Sequence, residues 1–533
     1  MAESTVLEYM RKVSSTLDVE NSRVKNILEL QSYQKYVFSI ENVLIKDEQL
    51  YIESGFAQIL DSYVIDDIKL CYLLLSRFPD SLVGIQSIFQ TKVKEYGLSQ
   101  LDGLTHSKDH PVESSVFVEK IFEIYNRFNN VFVDSFSYDP IFSKALDCAC
   151  RDFINHNSIS SNSSTKVSEL LSKYIDSLLK KGSKIADESQ SESKLNMSIT
   201  ILRYIEDRDA FQDFYRRNLA RRLVNDQSSS FNSEQSMISK LKEICGFDFT
   251  NKLTRMFNDI DLNNDLNSLF NESSVPDKNI DFSAKILNTA AWPLSYSKSD
   301  LILPRNLTSV VDSYTQFYNS RHQGRVLNWL WQYSKLDIKF TPPQKGSQPS
   351  PTYIFTVSTS QYAILSLFDS SMQDVIAYSQ ISKATGLSNH AIDSSLAIFA
   401  KCKLIKIIND QNESSSSTSI TQNSSFSINN DFRSKRLKIN LNVPMKSESK
   451  KESVEALKYI QEDHNMTIQA AIVRIMKTQR SLKHNVLITE VISQLESRFS
   501  PKIPDIKRAI DSLLDREFIE RDSTNFDIYK YVT

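Results

Sequence analysis

Glycine is scarce in this chain, with nine residues in 533, against roughly 7% in an ordinary protein. Few positive-φ turns can then be built, which argues against glycine-rich sheets and phosphate-cradling loops and in favour of long helices. No Walker-type or dinucleotide-binding fingerprint occurs. Cysteine is sparse as well. Cys71, Cys148, Cys150, Cys245 and Cys402 are scattered and have no histidines at ligand spacing, so neither a disulfide framework nor a zinc site is expected. Such thiols suit a reducing compartment, the cytoplasm or nucleus. An excess of one charge is missing too: 63 basic residues face 65 acidic ones, so nucleic acid or an anionic membrane would have to meet a local patch. The longest apolar run, near Leu70–Leu75, is far shorter than the roughly 18 residues of a membrane span. Met1–Lys12 has no apolar core of the kind a secretory leader needs.

What the chain does have is helical periodicity, over a length that suggests about three or four domains. Val6, Met10, Val13 and Leu17 open a run of apolar repeats that continues to about Asn155 and implies successive antiparallel helices. Polar stretches at Asn157–Thr165 and Ser183–Lys194 read as linkers around an amphipathic helix that ends in Lys180 and Lys181. In Tyr204–Leu223, Phe211, Phe214, Tyr215 and Leu219 recur at bundle spacing. Arg216, Arg217, Arg221 and Arg222 lie near Glu206, Asp207, Asp209 and Asp213, so they are expected to be ion-paired and structural rather than phosphate-binding.

After Trp292 the pattern turns toward strands. Thr352–Val357 is β-branched and aromatic, and Leu437, Ile439, Leu441 and Val443 alternate with polar residues. Gln361–Ile408 reads as three helices and a strand, a winged-helix order, and Met466–Thr533 repeats it with a hairpin around Asp522–Asn525. Residues 411–432, serine-rich from Asn412 to Ser427, are expected to form a disordered insertion.

The chain is organised around Met466–His484. Ile468, Ala471, Ile472 and Ile475 form one helical stripe, while Lys477 points about 140° to 200° away from it, between Arg474 and Arg480. An exposed amine on a basic face is expected.

The run IQAAIVRIMK at Ile468–Lys477, with INLNVPM at Ile439–Met445, Tyr204–Ile260, SRHQGRVLNWLW at Ser320–Trp331 and the tyrosine-rich ending YKYVT, resembles the cullins, closest to the SCF-type class. The resemblance implies a mainly α fold with a small α/β subdomain and two winged-helix units. The expected divisions are a partial cullin-repeat stalk (1–160), a four-helix bundle (161–290), an α/β subdomain (291–360, completed by 433–445), a first winged helix (361–410), the insertion (411–432) and a C-terminal winged helix (455–533).

It further implies a non-catalytic scaffold of a ubiquitin ligase, with no cofactor, no metal and no catalytic residue. Lys477 would take a ubiquitin-like modifier through an isopeptide bond, with Arg474 and Arg480 contacting the modifying enzyme. Lys180, Lys181 and Lys184 would form the basic groove for a ubiquitin-conjugating enzyme, and Leu437, Ile439 and Leu441 would receive a strand of the RING-box protein. The cullin exchange factor and the deneddylase complex complete the implied partners; a membrane and nucleic acid are not expected. The match begins partway through the second repeat, so adaptor binding, which the first repeat carries in the family, is not implied. A fragment, a mistaken start codon or a short paralogue each account for that. Two other readings stay open: a truncated cullin that sequesters RING-box protein, and a winged-helix DNA-binding protein.

Overall fold

The structure is a computed structural model that describes residues 5–25, 27–106, 112–160, 165–182, 188–272, 280–294, 301–342, 351–370, 375–408, 424–442, 446–496, 498–522 and 527–532. Contacts divide it into two compact units, one of residues 1–222, 227–250 and 460–533, the other of 223–226 and 251–459.

The first unit begins with a helical stalk: α1 (Val6–Val24), α2 (Leu30–Glu41), α3 (Gln49–Ser62), α4 (Ile65–Leu75), α5 (Leu82–Asp102), α6 (Ser114–Phe136) and α7 (Pro140–Asn155). The corner between α6 and α7 is written locally. Ser137 and Tyr138 take positive φ, Asp139 accepts the Ile141 N–H at 2.9 Å, and Pro140 occupies the first helical position, where no N–H is needed. Phe89, Phe136 and Phe142 fill the space between the helices, the last two stacked at 4.0 Å. One of the few glycines is spent here: a Cβ on Gly97 would sit 2.5 Å from the Phe153 ring, so α5 and α7 approach closely only because it is absent.

The chain continues through α8 (Lys166–Leu179), α9 (Glu188–Tyr204), α10 (Arg208–Val224) and α11 (Phe231–Glu272). Gly246 interrupts α11 at φ 80°, a conformation costly for any residue with a side chain.

The second unit contains the remainder of α11, an extended segment at 280–294, α12 (Arg305–Arg321), β1 (Leu336–Phe340), β2 (Tyr353–Val357), α13 (Thr359–Ser370), β3 (Ile376–Ala377), α14 (Tyr378–Thr385), α15 (Asn389–Lys401), β4 (Ile405–Ile408), β5 (Ser425–Ile428) and β6 (Lys438–Asn440). One sheet runs β1-β2-β6, antiparallel then parallel; the other runs β3-β5-β4. Tyr353 and Phe355 of the first sheet and Ile364, Ile392 and Phe426 around the second belong to one apolar core, so the α/β subdomain and the first winged helix fold together.

Helix α16 (Lys446–Gln479) leads into the C-terminal winged helix: β7 (Ser481–Lys483), α17 (His484–Leu495), α18 (Ile503–Asp515), β8 (Ile519–Arg521) and β9 (Ile528–Tyr531), in sheet order β7-β9-β8. This strand order repeats that of the first winged helix, as the periodicity implies. No helix among the described residues is long and apolar enough to cross a membrane.

Three expectations change. The serine-rich insertion does not extend to residue 432, because Ser425–Ile428 is the central strand β5, with Phe426 fully buried. A single phenylalanine among serines suffices because both edges of β5 are paired; residues 409–423 lie outside the described set. The expected bundle boundary at 290 moves back, since the compact division falls at residue 250 and the segment at 280–294 packs under α12. Finally, the alternation at Leu437, Ile439 and Leu441 does not give one uniformly buried face: Leu441 is buried and Leu437 exposed, because Leu437 stands at the outer end of the short pairing with β2 while Leu441 joins the apolar core; Val443 lies outside the described residues.

Candidate functional site

The stripe of Ile468, Ala471, Ile472 and Ile475 is buried against Leu487, Val491, Ile506, Ile510 and Leu513. Met476 is buried with it. Lys477 therefore emerges on the outer side of the last turn of α16, exposed, between exposed Arg474 and Arg480. None of the three side chains forms an ion pair with any described residue, whereas Lys92, Lys94, Lys120 and Lys173 on other helices each meet a carboxylate. The amine thus stands in an uncompensated positive field, at a helix C-terminus that favours cations.

The end of α16 is fixed by backbone geometry. Arg480 takes φ 62°, its N–H donates to the Met476 carbonyl at 2.8 Å, and its own carbonyl accepts the Tyr531 N–H at 2.9 Å. The left-handed cap turns the chain straight into β7, which pairs with β9. Left-handed backbone costs a side-chain-bearing residue about 1–2 kcal/mol. Arg480→Gly is accordingly expected to raise stability by about 1 kcal/mol, read from a denaturation midpoint, while removing one cation beside Lys477.

Lys180 and Lys181 follow α8 directly. Lys181 is exposed, and its N–H donates to the Gln227 carbonyl at 2.8 Å. Lys180 Nζ lies 2.5 Å from Asp176 Oδ2, and Asp176 Oδ1 accepts from Arg222 at 2.6 Å. Arg222, fully buried, also forks onto Glu234 with bonds of 2.7 and 2.9 Å. Lys180 is therefore part of a structural network. Lys184 lies outside the described residues.

The backbones of Leu437, Ile439 and Leu441 are already in use. The Leu437 carbonyl accepts from Ile354 at 2.7 Å and the Leu441 N–H donates to Thr356 at 2.8 Å; parallel alternation turns Ile439 the same way. At the open edge of β6 stand Lys438 and Asn440, and an edge lysine commonly blunts pairing.

A different vacancy lies nearby, which the sequence reading overlooked. In the extended segment at 280–294, Asn267 exchanges two hydrogen bonds with the backbone of Ala284 (2.9 and 3.0 Å), and Asn263 exchanges two with Ile286 (2.7 and 3.1 Å). Helix α11 thus stands in for a neighbouring strand on one edge. On the other edge, the backbones of Ser283, Lys285 and Leu287 bond to no described residue, nor do those of Val326–Trp329. Leu327 and Trp329 turn onto an aromatic core with Phe270, Phe282 and Tyr314, while Val326 is 85% exposed. Extended backbone with no partner among the described residues, beside an exposed valine, has the geometry of an open sheet edge. The signal was present as asparagines four apart in α11, but their partners were not visible.

Comparison with known proteins agrees with this layout. Residues 1–267 match a family model described as the cullin alpha solenoid domain, 286–432 the cullin alpha+beta domain and 463–525 the cullin protein neddylation domain. Cullin-1 of Schizosaccharomyces pombe is 37% identical over 99% of this chain and 68% of its own length. Cullin-1 of Dictyostelium discoideum is 35% identical over 100% of this chain and 68% of its own. The chain belongs to the cullin family, the scaffold subunits of ubiquitin ligases.

Proposed function

We propose that the protein holds a RING-box protein and that Lys477 is the residue to which a ubiquitin-like modifier is joined. The observation that carries this is the exposed Lys477 on the last turn of α16, between Arg474 and Arg480, with no ion-pair partner for any of the three side chains among the described residues. A scaffold needs no nucleophile of its own: it raises the effective concentration of a RING-bound conjugating enzyme at its target. New contacts made by the modifier would then shift the population of the winged-helix unit that carries it. Lys181, which has no ion pair among the described residues, supplies a cation of the groove for the conjugating enzyme, with Lys180 shared with Asp176. The exchange factor and deneddylase act on the same scaffold, in cytoplasm and nucleus.

The RING-box strand is assigned to the vacancy between 281–288 and 326–329 rather than to β6. Unused backbone and the exposed Val326 support this reading. Its test is co-purification of the RING subunit with three forms of the chain, followed by mass spectrometry of the Lys477 peptide. Val326→Glu, at a position already in solvent, is expected to reduce capture at least tenfold. Lys438→Pro, which removes an N–H from the open edge of β6, is expected to leave it unchanged. The opposite pattern would return the strand to β6, and no RING subunit with any form would end the scaffold reading.

A further inference from the structure

Lys285 lies in the middle of the extended segment at 280–294, and its side chain and backbone serve different neighbours. Side chains alternate between the two faces of extended backbone, so Phe282, Ala284 and Ile286 turn onto the aromatic core while Lys285 leaves it. Its ammonium donates to the carbonyls of Leu223 and Val224, each at 2.9 Å, and to Asp226 Oδ1 at 2.7 Å. An ammonium has three donors, and here each has an acceptor. Leu223 and Val224 end α10, where carbonyls lack partners within the helix and attract cations. Asp226 follows in a left-handed turn at φ 55°, a conformation aspartate tolerates. The lysine side chain is mostly covered, whereas Asp226 is largely in solvent. That ion pair alone would contribute little, but three convergent bonds fix where the side chain lies.

The backbone of the same residue faces the vacancy. Asn267 and Asn263 hold Ala284 and Ile286 from the side of α11. Farther along, the Asn288 N–H and the Trp292 indole N–H both donate to Asp259 Oδ2, at 3.0 and 2.8 Å. These bonds fix the residues on either side of Lys285 and the far end of the segment. The N–H and carbonyl of Lys285 itself, at the centre of the opposite edge, bond to no described residue. Its side chain is therefore the tether at that point. Ordering backbone costs conformational entropy, and an edge already held extended spares an arriving strand that cost.

We infer that Lys285 is a positioning residue for partner capture: anchored on the end of α10, it holds the centre of the vacant edge extended before the partner strand arrives. The inference rests on the reading of that edge as the RING-box site. Its side-chain donors are all engaged within the chain, so it acts through the backbone it tethers rather than by touching the partner. A preformed edge governs association. When only a fraction of chains present the edge, apparent affinity falls by that fraction. The loss appears in the rate of capture, because a bound strand itself keeps the edge extended and leaves as before.

Lys285→Met keeps the length of the side chain and removes its donors, and the helix-end carbonyls it leaves can take water. In the full chain without partner, this change is expected to speed hydrogen exchange at the Ala284 and Ile286 amides about fivefold, while α12 and α13 keep their protection. On immobilised RING-box protein it should slow association about fivefold with the dissociation rate unchanged. Asp226→Asn, which retains an oxygen acceptor without the charge, should slow association about twofold, and Lys285→Arg, which keeps donors, should recover most of the rate. Faster dissociation with unchanged association would make Lys285 a contact of the bound strand and overturn the positioning role, as would unchanged exchange at Ala284 and Ile286. Should Lys285→Met lose protection throughout α12 and α13, Asp226→Asn decides: association equal to wild type overturns the inference, and slower association with unchanged dissociation upholds it. If no form binds RING-box protein, wild type included, while the exchange pattern holds, the partner assignment fails and the tether on the edge stands.

Discussion

Lys477→Arg is expected to abolish attachment of the modifier while leaving the unfolding midpoint unchanged. The substitution keeps charge and approximate length on an exposed position that has no partner among the described residues, so its cost should stay within about 0.5 kcal/mol. The chemistry changes completely. An isopeptide bond forms when a neutral amine attacks a thioester, and a lysine with a reference pKa of about 10.4 can lose its proton at the active site of a modifying enzyme. A guanidinium stays protonated at any pH the protein survives. The readout is the heavier, modifier-linked form of the chain, seen by mass and mapped by peptide. Persistence of that form at wild-type level in the arginine variant would mean that another lysine is the acceptor.

Arg222→Met is expected to cost about 3–5 kcal/mol, the usual penalty for leaving buried charge unpaired. Arg222 and Glu234 are both fully buried, and Asp176 nearly so. Ser228 also donates to Glu234 at 2.8 Å. Removal of the arginine strands Glu234 among α8, α10 and α11 and leaves Asp176 with Lys180 alone, so Glu234 must then take up a proton or admit water. The unfolding midpoint should fall, and it should recover partly when Glu234→Gln is added, because the second change removes one stranded charge. Equal stability of wild type and Arg222→Met would show that the network contributes no net stabilisation.

Much of the C-terminal unit was legible in advance because it is local. The stripe from Ile468 to Ile475 and the outward Lys477 follow from one helix turning about 100° per residue, and both winged-helix plans follow from element order. Arg216 behaves as its neighbours suggest, pairing with Asp213 three residues away at 2.9 Å. Arg222 does not. Its partners come from α8 and α11, and Asp207 and Asp209, which looked like its neighbours' counter-ions, turn instead to His464 and Arg498. Spacing along a helix shows which charges are adjacent, but a long side chain pairs with whichever carboxylate the packing brings to it.

The sheet shows the same division. Alternation at Leu437, Ile439 and Leu441 correctly marks a strand, yet period two cannot say which lateral edge is already bonded. The strand β5 was hidden because serine-rich composition resembles a linker, and only pairing on both sides makes it a strand.

The order of elements, the buried face of each helix and the exposure of Lys477 were thus determined by the residues themselves, through periodicities that act over a few positions. Which carboxylate neutralises which arginine, which backbone edge is left vacant, and what anchors Lys285 were decided only in three dimensions. Those choices depend on groups far apart in the chain meeting at hydrogen-bonding distance, and no local pattern encodes such a meeting.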